Sequence, residues 1–115
     1  MCTEQQLNKI KQIVIECYEK TYGKNIVDII LYGSYARGDF SETSDIDVTA
    51  IVRGERTELQ EKLKEVWDAT AEVGLENDVV VSPTVIPYDE YMKYKDTLPY
   101  YRNIAEEGQK IGWFN

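Results

Sequence analysis

At 115 residues the chain is sized for one domain, residues 1–115, with no room for a separate acceptor-binding domain. It holds 21 Asp and Glu against 13 Lys and Arg and no His, for a net charge of −8. That charge disfavours a protein that coats phosphate backbones, so no direct nucleic-acid partner is expected. The missing His excludes Ser-His-Asp triads, Cys-His pairs and His-ligated zinc.

Thr3 with Gln6 reads as a capping box opening a first helix. Leu7, Ile10, Ile13, Val14, Cys17 and Tyr18 keep helical spacing behind it, and Gly23 stops it. The opening residues lack a basic and apolar leader, and no apolar run is long enough to cross a membrane. A cytoplasmic location, no membrane contact and reduced Cys2 and Cys17 are therefore expected.

A first strand is predicted over Ile26–Tyr32, followed by a turn at Gly33-Ser34, a short helical turn and a polar loop. In that loop Asp39 and Glu42 read as solvated acids, and Ser41, Thr43 and Ser44 as shaping the loop through local hydrogen bonds. A second strand is predicted over Asp45–Val52, and a helix capped by Thr57 runs to Val73 with Leu59, Leu63, Val66, Trp67 and Thr70 as its apolar stripe. Gly74 is expected to end it. A third strand over Asp78–Ile86 contains Pro83, which places it at a sheet edge. Two short helices follow, Asp89–Tyr94 and one from Pro99 to Gly108, then an apolar tail at Ile111–Phe114. The fold class is α/β (α+β): a small mixed sheet flanked by helices.

The chemistry concentrates between residues 33 and 47. Asp45 and Asp47 are two apart on a strand, so their carboxylates share a face about 6.6 Å apart along it. Unpaired carboxylates on an otherwise apolar strand are costly, and divalent cations remove that cost. Magnesium suits carboxylates plus substrate phosphates, and two such ions can clamp the attacking and leaving oxygens of a displacement. Gly33 and Ser34, at the end of an apolar strand, can bring backbone N–H groups and a hydroxyl to phosphate oxygens. Arg37 can add positive charge there, or pair with Asp39 or Asp47 and organise the loop. Together these point to a nucleoside triphosphate with magnesium. Thr49 lies on the Asp45–Asp47 face, either supporting that site or as an ordinary sheet threonine.

Gly33-Ser34, ten residues, then Asp45-Ile46-Asp47 resembles the signature of the DNA polymerase β-like nucleotidyltransferase superfamily. The fuller string, Leu31-Tyr32-Gly33-Ser34-Tyr35-Ala36-Arg37-Gly38-Asp39 and Ser44-Asp45-Ile46-Asp47-Val48, is similar to its minimal nucleotidyltransferase (MNT) branch. The resemblance implies a polymerase β palm-like fold, Gly33 and Ser34 on the β- and γ-phosphates, and Asp45 and Asp47 on Mg2+, two ions being expected. It implies transfer of a nucleoside monophosphate, AMP from ATP, to a hydroxyl. It also implies a partner, because minimal members act as antitoxins of HEPN-type RNase toxins, some by adenylylating them. Two alternatives stand beside this: a non-catalytic antitoxin or regulatory subunit, and a small-molecule (aminoglycoside-type) nucleotidyltransferase. Self-association into a homo-oligomer is left open.

The superfamily also implies a third carboxylate on a later strand. Asp78, at the predicted start of the third strand, is the candidate, with a face that depends on register. The tyrosines of the last third, Tyr88, Tyr91, Tyr94, Tyr100 and Tyr101, are expected to pack or contact a partner rather than stack on bases.

Overall fold

The computed structural model describes residues 3–38 and 45–113; the expectations for residues 39–44 and for Cys2 and Phe114 lie outside them. Helix α1 runs Glu4–Tyr22, and its capping box is formed: Thr3 Oγ1 accepts from the Gln6 N–H and Gln6 Oε1 accepts from the Thr3 N–H. A single 3-10 turn, Gly23–Asn25, leads into β1, Ile26–Tyr32. The four-residue helix α2, Ser34–Arg37, follows directly on Gly33. Then come β2, Ile46–Val52, α3, Arg56–Asn77, and β3, Val81–Pro87. Helices α4, Tyr88–Tyr94, and α5, Pro99–Glu107, precede β4, Gln109–Trp113.

The strands form one four-stranded sheet in the order β3-β2-β1-β4. β1 is antiparallel to both β2 and β4, and β2 is parallel to β3. Only a crossover can join parallel neighbours, and the long helix α3 supplies it. The expected mixed sheet flanked by helices is therefore what the chain forms, with β3 at an edge as Pro83 requires.

Strand alternation divides the sheet into two unlike faces. Ile29 and Leu31 of β1, Ile46, Val48, Ala50 and Val52 of β2, and Val81 and Val85 of β3 pack beneath α1 and α3. Ile10, Val14 and Tyr18 of α1 and Leu59, Leu63 and Val66 of α3 complete that core. The Tyr18 hydroxyl, fully buried, donates to the Thr84 carbonyl at 2.7 Å, so a polar tip reaches the sheet without being stranded. On the other face Ile30, Ile51 and Ile86 meet Tyr101 and Ile104 of α5. This second apolar patch covers only part of that face.

Three expectations are corrected. α3 starts at Arg56 with Glu55 as its cap, two residues before Thr57, because the Leu59 N–H already bonds the Glu55 carbonyl. Gly74 does not end α3: it lies buried within the helix, where a Cβ would come 2.6 Å from the Val79 carbonyl oxygen. The glycine is needed for close approach of the returning chain rather than as a stop. Trp67 is 44% exposed, since it stands about 100° around the helix from buried Val66.

Candidate active site

The register of the sheet builds the site. Tyr32 at the end of β1 pairs with Asp47 of β2, and Asp47 pairs with Ser82 of β3. One step deeper, Ile30, Thr49 and Thr84 form the next row. Both rows lie on the face that α5 only partly covers, the same face as Ile51 and Ile86. A polar strip therefore lies at the end of the sheet where β1 ends and β2 and β3 begin.

Gly33 brings the turn before α2 onto this strip. Its backbone, φ 76 and ψ −152, lies in a region open essentially to glycine alone. An ideal Cβ there would stand 2.5 Å from Asp47 Oδ2. The Asp47 carboxylate thus occupies the space that the missing side chain leaves, at the residue preceding Ser34. The structure brings Gly33, Ser34 and Asp47 together, with Asp45 just before β2 and exposed.

Burial and the neighbouring Asp45 charge push the Asp47 carboxyl above its usual range, with Arg37 partly offsetting them. Arg37 also forms an ion pair with Glu107 at 3.5 Å, a pairing the sequence does not signal. Gln109 at the start of β4 donates from Nε2 to the Ala36 carbonyl at 2.8 Å. The turn and α2 are therefore contacted from α5 and β4. These contacts are not legible in the sequence, where Ile111–Phe114 reads as an apolar tail and Gln109 and Lys110 before it are too polar to signal the start of a strand.

Asp78 is corrected. It is not on the third strand, which begins at Val81; it is the C-cap of α3, exposed, with φ 56 and ψ 43. In the sequence Asp78-Val79-Val80 continues the apolar alternation and so points to an earlier strand start, while the chain is still closing the helix there through the Val79 N–H to the Gly74 carbonyl. Among the described residues no group of three or more acidic, cysteine or histidine side chains could hold a metal ion, so Asp78 does not complete one with Asp45 and Asp47. Ser82 takes the strand place beside Asp47.

The fit to magnesium rests on the two carboxylates alone. They repel each other, one is held above its normal range, and an added cation would relieve both effects. Magnesium commonly takes one or two protein carboxylates and fills its remaining positions with water and substrate phosphate. Beneath them Thr49 is fully buried, and its Oγ1 has no hydrogen-bond partner among the described residues. A separate groove of about 490 Å³ between α1 and α3, lined by Ile13, Cys17, Thr21 and Ala69, is on the helix-covered side of the sheet, away from this chemistry.

A pH dependence follows. The folded state holds the Asp47 proton more tightly than the unfolded chain does, so this group favours folding at low pH, and its contribution is lost as pH rises through the raised value. The thermal midpoint of the metal-free protein is expected to carry a falling component from about pH 4, the ordinary aspartate range, upward. Melts across that range should show the component in the wild type, lose it in Asp47→Asn, and lose it on adding Mg2+.

The turn seated against Asp47 through Gly33, with Asp45 just ahead of the same strand, stands at the end of a small mixed sheet. The nucleotidyltransferase domain family matches residues 7–111, and the chain belongs to that family. It is 34% identical over 102 residues to a Methanocaldococcus jannaschii protein named "Putative protein adenylyltransferase MJ0604", covering 89% of this chain and 93% of the other. A toxin–antitoxin structure with AMP-PNP shares the fold at a TM-score of 0.55 and 16% identity, covering 91% of this chain and 73% of that one. The complex of tri-AMPylated Shewanella oneidensis HEPN toxin with MNT antitoxin shares it at 0.51 and 13% identity, covering 94% of this chain and 72% of that one.

Proposed function

We propose that this nucleotidyltransferase moves AMP from Mg-ATP to a hydroxyl on a partner protein, a HEPN-type toxin, and acts as its antitoxin. The observation that carries the reading is the seating of the Asp47 carboxylate in the space left by Gly33, which makes the phosphate turn and the acidic pair one site. Ser34 and the Gly33 backbone would meet the β- and γ-phosphates, Arg37 would add charge, and Asp45 and Asp47 would hold magnesium. When bound, magnesium would neutralise the charge gathering on the phosphate oxygens. The acceptor oxygen bonds to the α-phosphorus as the bond from that phosphorus to the bridging oxygen breaks. Pyrophosphate leaves, and the acceptor proton passes to water. The adenylyltransferase name of the archaeal relative supports the reaction class, and the HEPN complex among its fold neighbours supports the acceptor class. No helix among the described residues is long and apolar enough to cross a membrane.

One observation favours a second reading. The strand residue paired with Asp47 on β3 is Ser82, and Asp78 lies off the strand as the cap of α3, so no third strand carboxylate stands among the described residues of β3, which suits a subunit that binds nucleotide and neutralises its partner by contact. Incubation with the partner, Mg2+ and labelled ATP, followed by mass spectrometry, separates the two. An AMP adduct on a partner hydroxyl is the expected result. Stable complex formation with no adduct would overturn transfer in favour of contact.

A further inference from the structure

Among the tyrosines of the last third, one is set apart. Tyr88, Tyr91, Tyr94 and Tyr101 belong to the apolar cluster beneath α4 and α5, whereas Tyr100 is 47% exposed. Its ring is nevertheless held from two sides. It meets Tyr32 edge-on, with centroids 6.0 Å apart and planes at 85°, and Tyr101 at 5.6 Å and 52°. Its hydroxyl lies 2.9 Å from that of Tyr32. Pro99 at the first turn of α5 limits the backbone beneath it.

Tyr32 links this ring to the chemistry. It pairs with Asp47 across the sheet, shares its face, and immediately precedes Gly33 and Ser34. The Asp47 charge contributes to raising the Tyr32 hydroxyl, though burial and Tyr100 do more. Tyr100 therefore stands one side chain beyond the acidic pair, on the flank that carries the phosphate turn. On the opposite flank, exposed Val80 stands just before β3.

We propose that Tyr100, braced by Tyr32 and Tyr101, is the platform on which the nucleobase of the bound nucleotide stacks. The inference rests on the reading of the site as one for Mg-ATP. A base is neutral and offers its π-face to any aromatic ring, so the acidity that disfavours a nucleic-acid backbone does not oppose it. A ring already fixed by its neighbours loses little freedom when the base arrives. The platform makes the site take a nucleoside triphosphate in preference to bare polyphosphate, and it accepts either purine.

The test is calorimetric titration of the whole chain with ATP and with inorganic tripolyphosphate, each with Mg2+. Tyr100→Ala is expected to weaken ATP by about tenfold, within the range seen for loss of one base-stacking ring. Tripolyphosphate affinity should stay at the wild-type value, and Tyr100→Phe should keep ATP affinity because the ring remains. Tyr100→Leu, which retains bulk, should behave like Tyr100→Ala and guards against a folding effect. Unchanged ATP affinity in Tyr100→Ala and Tyr100→Leu would overturn the platform, as would equal weakening of ATP and tripolyphosphate. Wild-type protein that binds neither ligand would overturn the Mg-ATP site itself, and with it the platform.

Discussion

Replacing Gly33 by alanine is expected to abolish Mg-dependent ATP binding and to cost about 1–3 kcal/mol of stability, the range for a residue forced into a glycine-only backbone region. Two independent effects combine. The φ of 76 and ψ of −152 disfavour any L side chain, and the new methyl would stand 2.5 Å from Asp47 Oδ2. The chain can relieve the clash only by turning the Asp47 carboxylate away or by pulling the turn off the sheet. Either movement separates Ser34 from the acidic pair. Calorimetry with ATP and a thermal melt read the two effects separately. Near-normal ATP affinity in Gly33→Ala would mean that the turn and the carboxylate do not form one site.

Asp47→Asn is expected to lower Mg-dependent transfer at least 100-fold, beyond the roughly 10–100-fold that follows loss of a residue merely orienting a metal ligand. The same substitution should raise the thermal midpoint of the metal-free protein at neutral pH. It keeps the shape but removes a charge that burial and Asp45 already disfavour. Asp45→Asn should lose transfer by a similar factor with little gain in midpoint, because Asp45 is exposed. The opposed signs for Asp47 separate a binding role from a structural one. A lower midpoint in Asp47→Asn would show that the carboxylate holds the fold together, and wild-type transfer would remove it from the chemistry.

Much of the fold was legible because local signals coincided with tertiary needs. Thr3 and Gln6 announced α1, and Ile26–Tyr32 has the same bounds in sequence and structure. Pro83 correctly put β3 at an edge. The misreadings share a cause: a residue with two physical uses. Gly74 can stop a helix or admit a close neighbour, and Val79 decides for the second. Asp78 can open a strand or cap a helix in a left-handed turn, and the Gly74 carbonyl decides for the cap. β4 was illegible because its pairing with β1 comes from a partner far away in sequence. At the site, the turn and the acid pair could be read from spacing. Their contact through the missing Gly33 side chain, and the places of Tyr32 and Ser82 beside Asp47, could not, since they depend on register.

The brace on the phosphate turn also orders events during synthesis. Ser34 and Asp47 emerge early, but the Gln109 bond to the Ala36 carbonyl and the Glu107 pairing with Arg37 need residues made some seventy positions later, as Gln109 and Ala36 are 73 apart. A nascent chain holding β1, β2 and α3 therefore has Gly33, Ser34 and Asp47 and still lacks the contacts made to the turn from α5 and β4. The full set of contacts on the turn is in place only when β4 has closed onto β1.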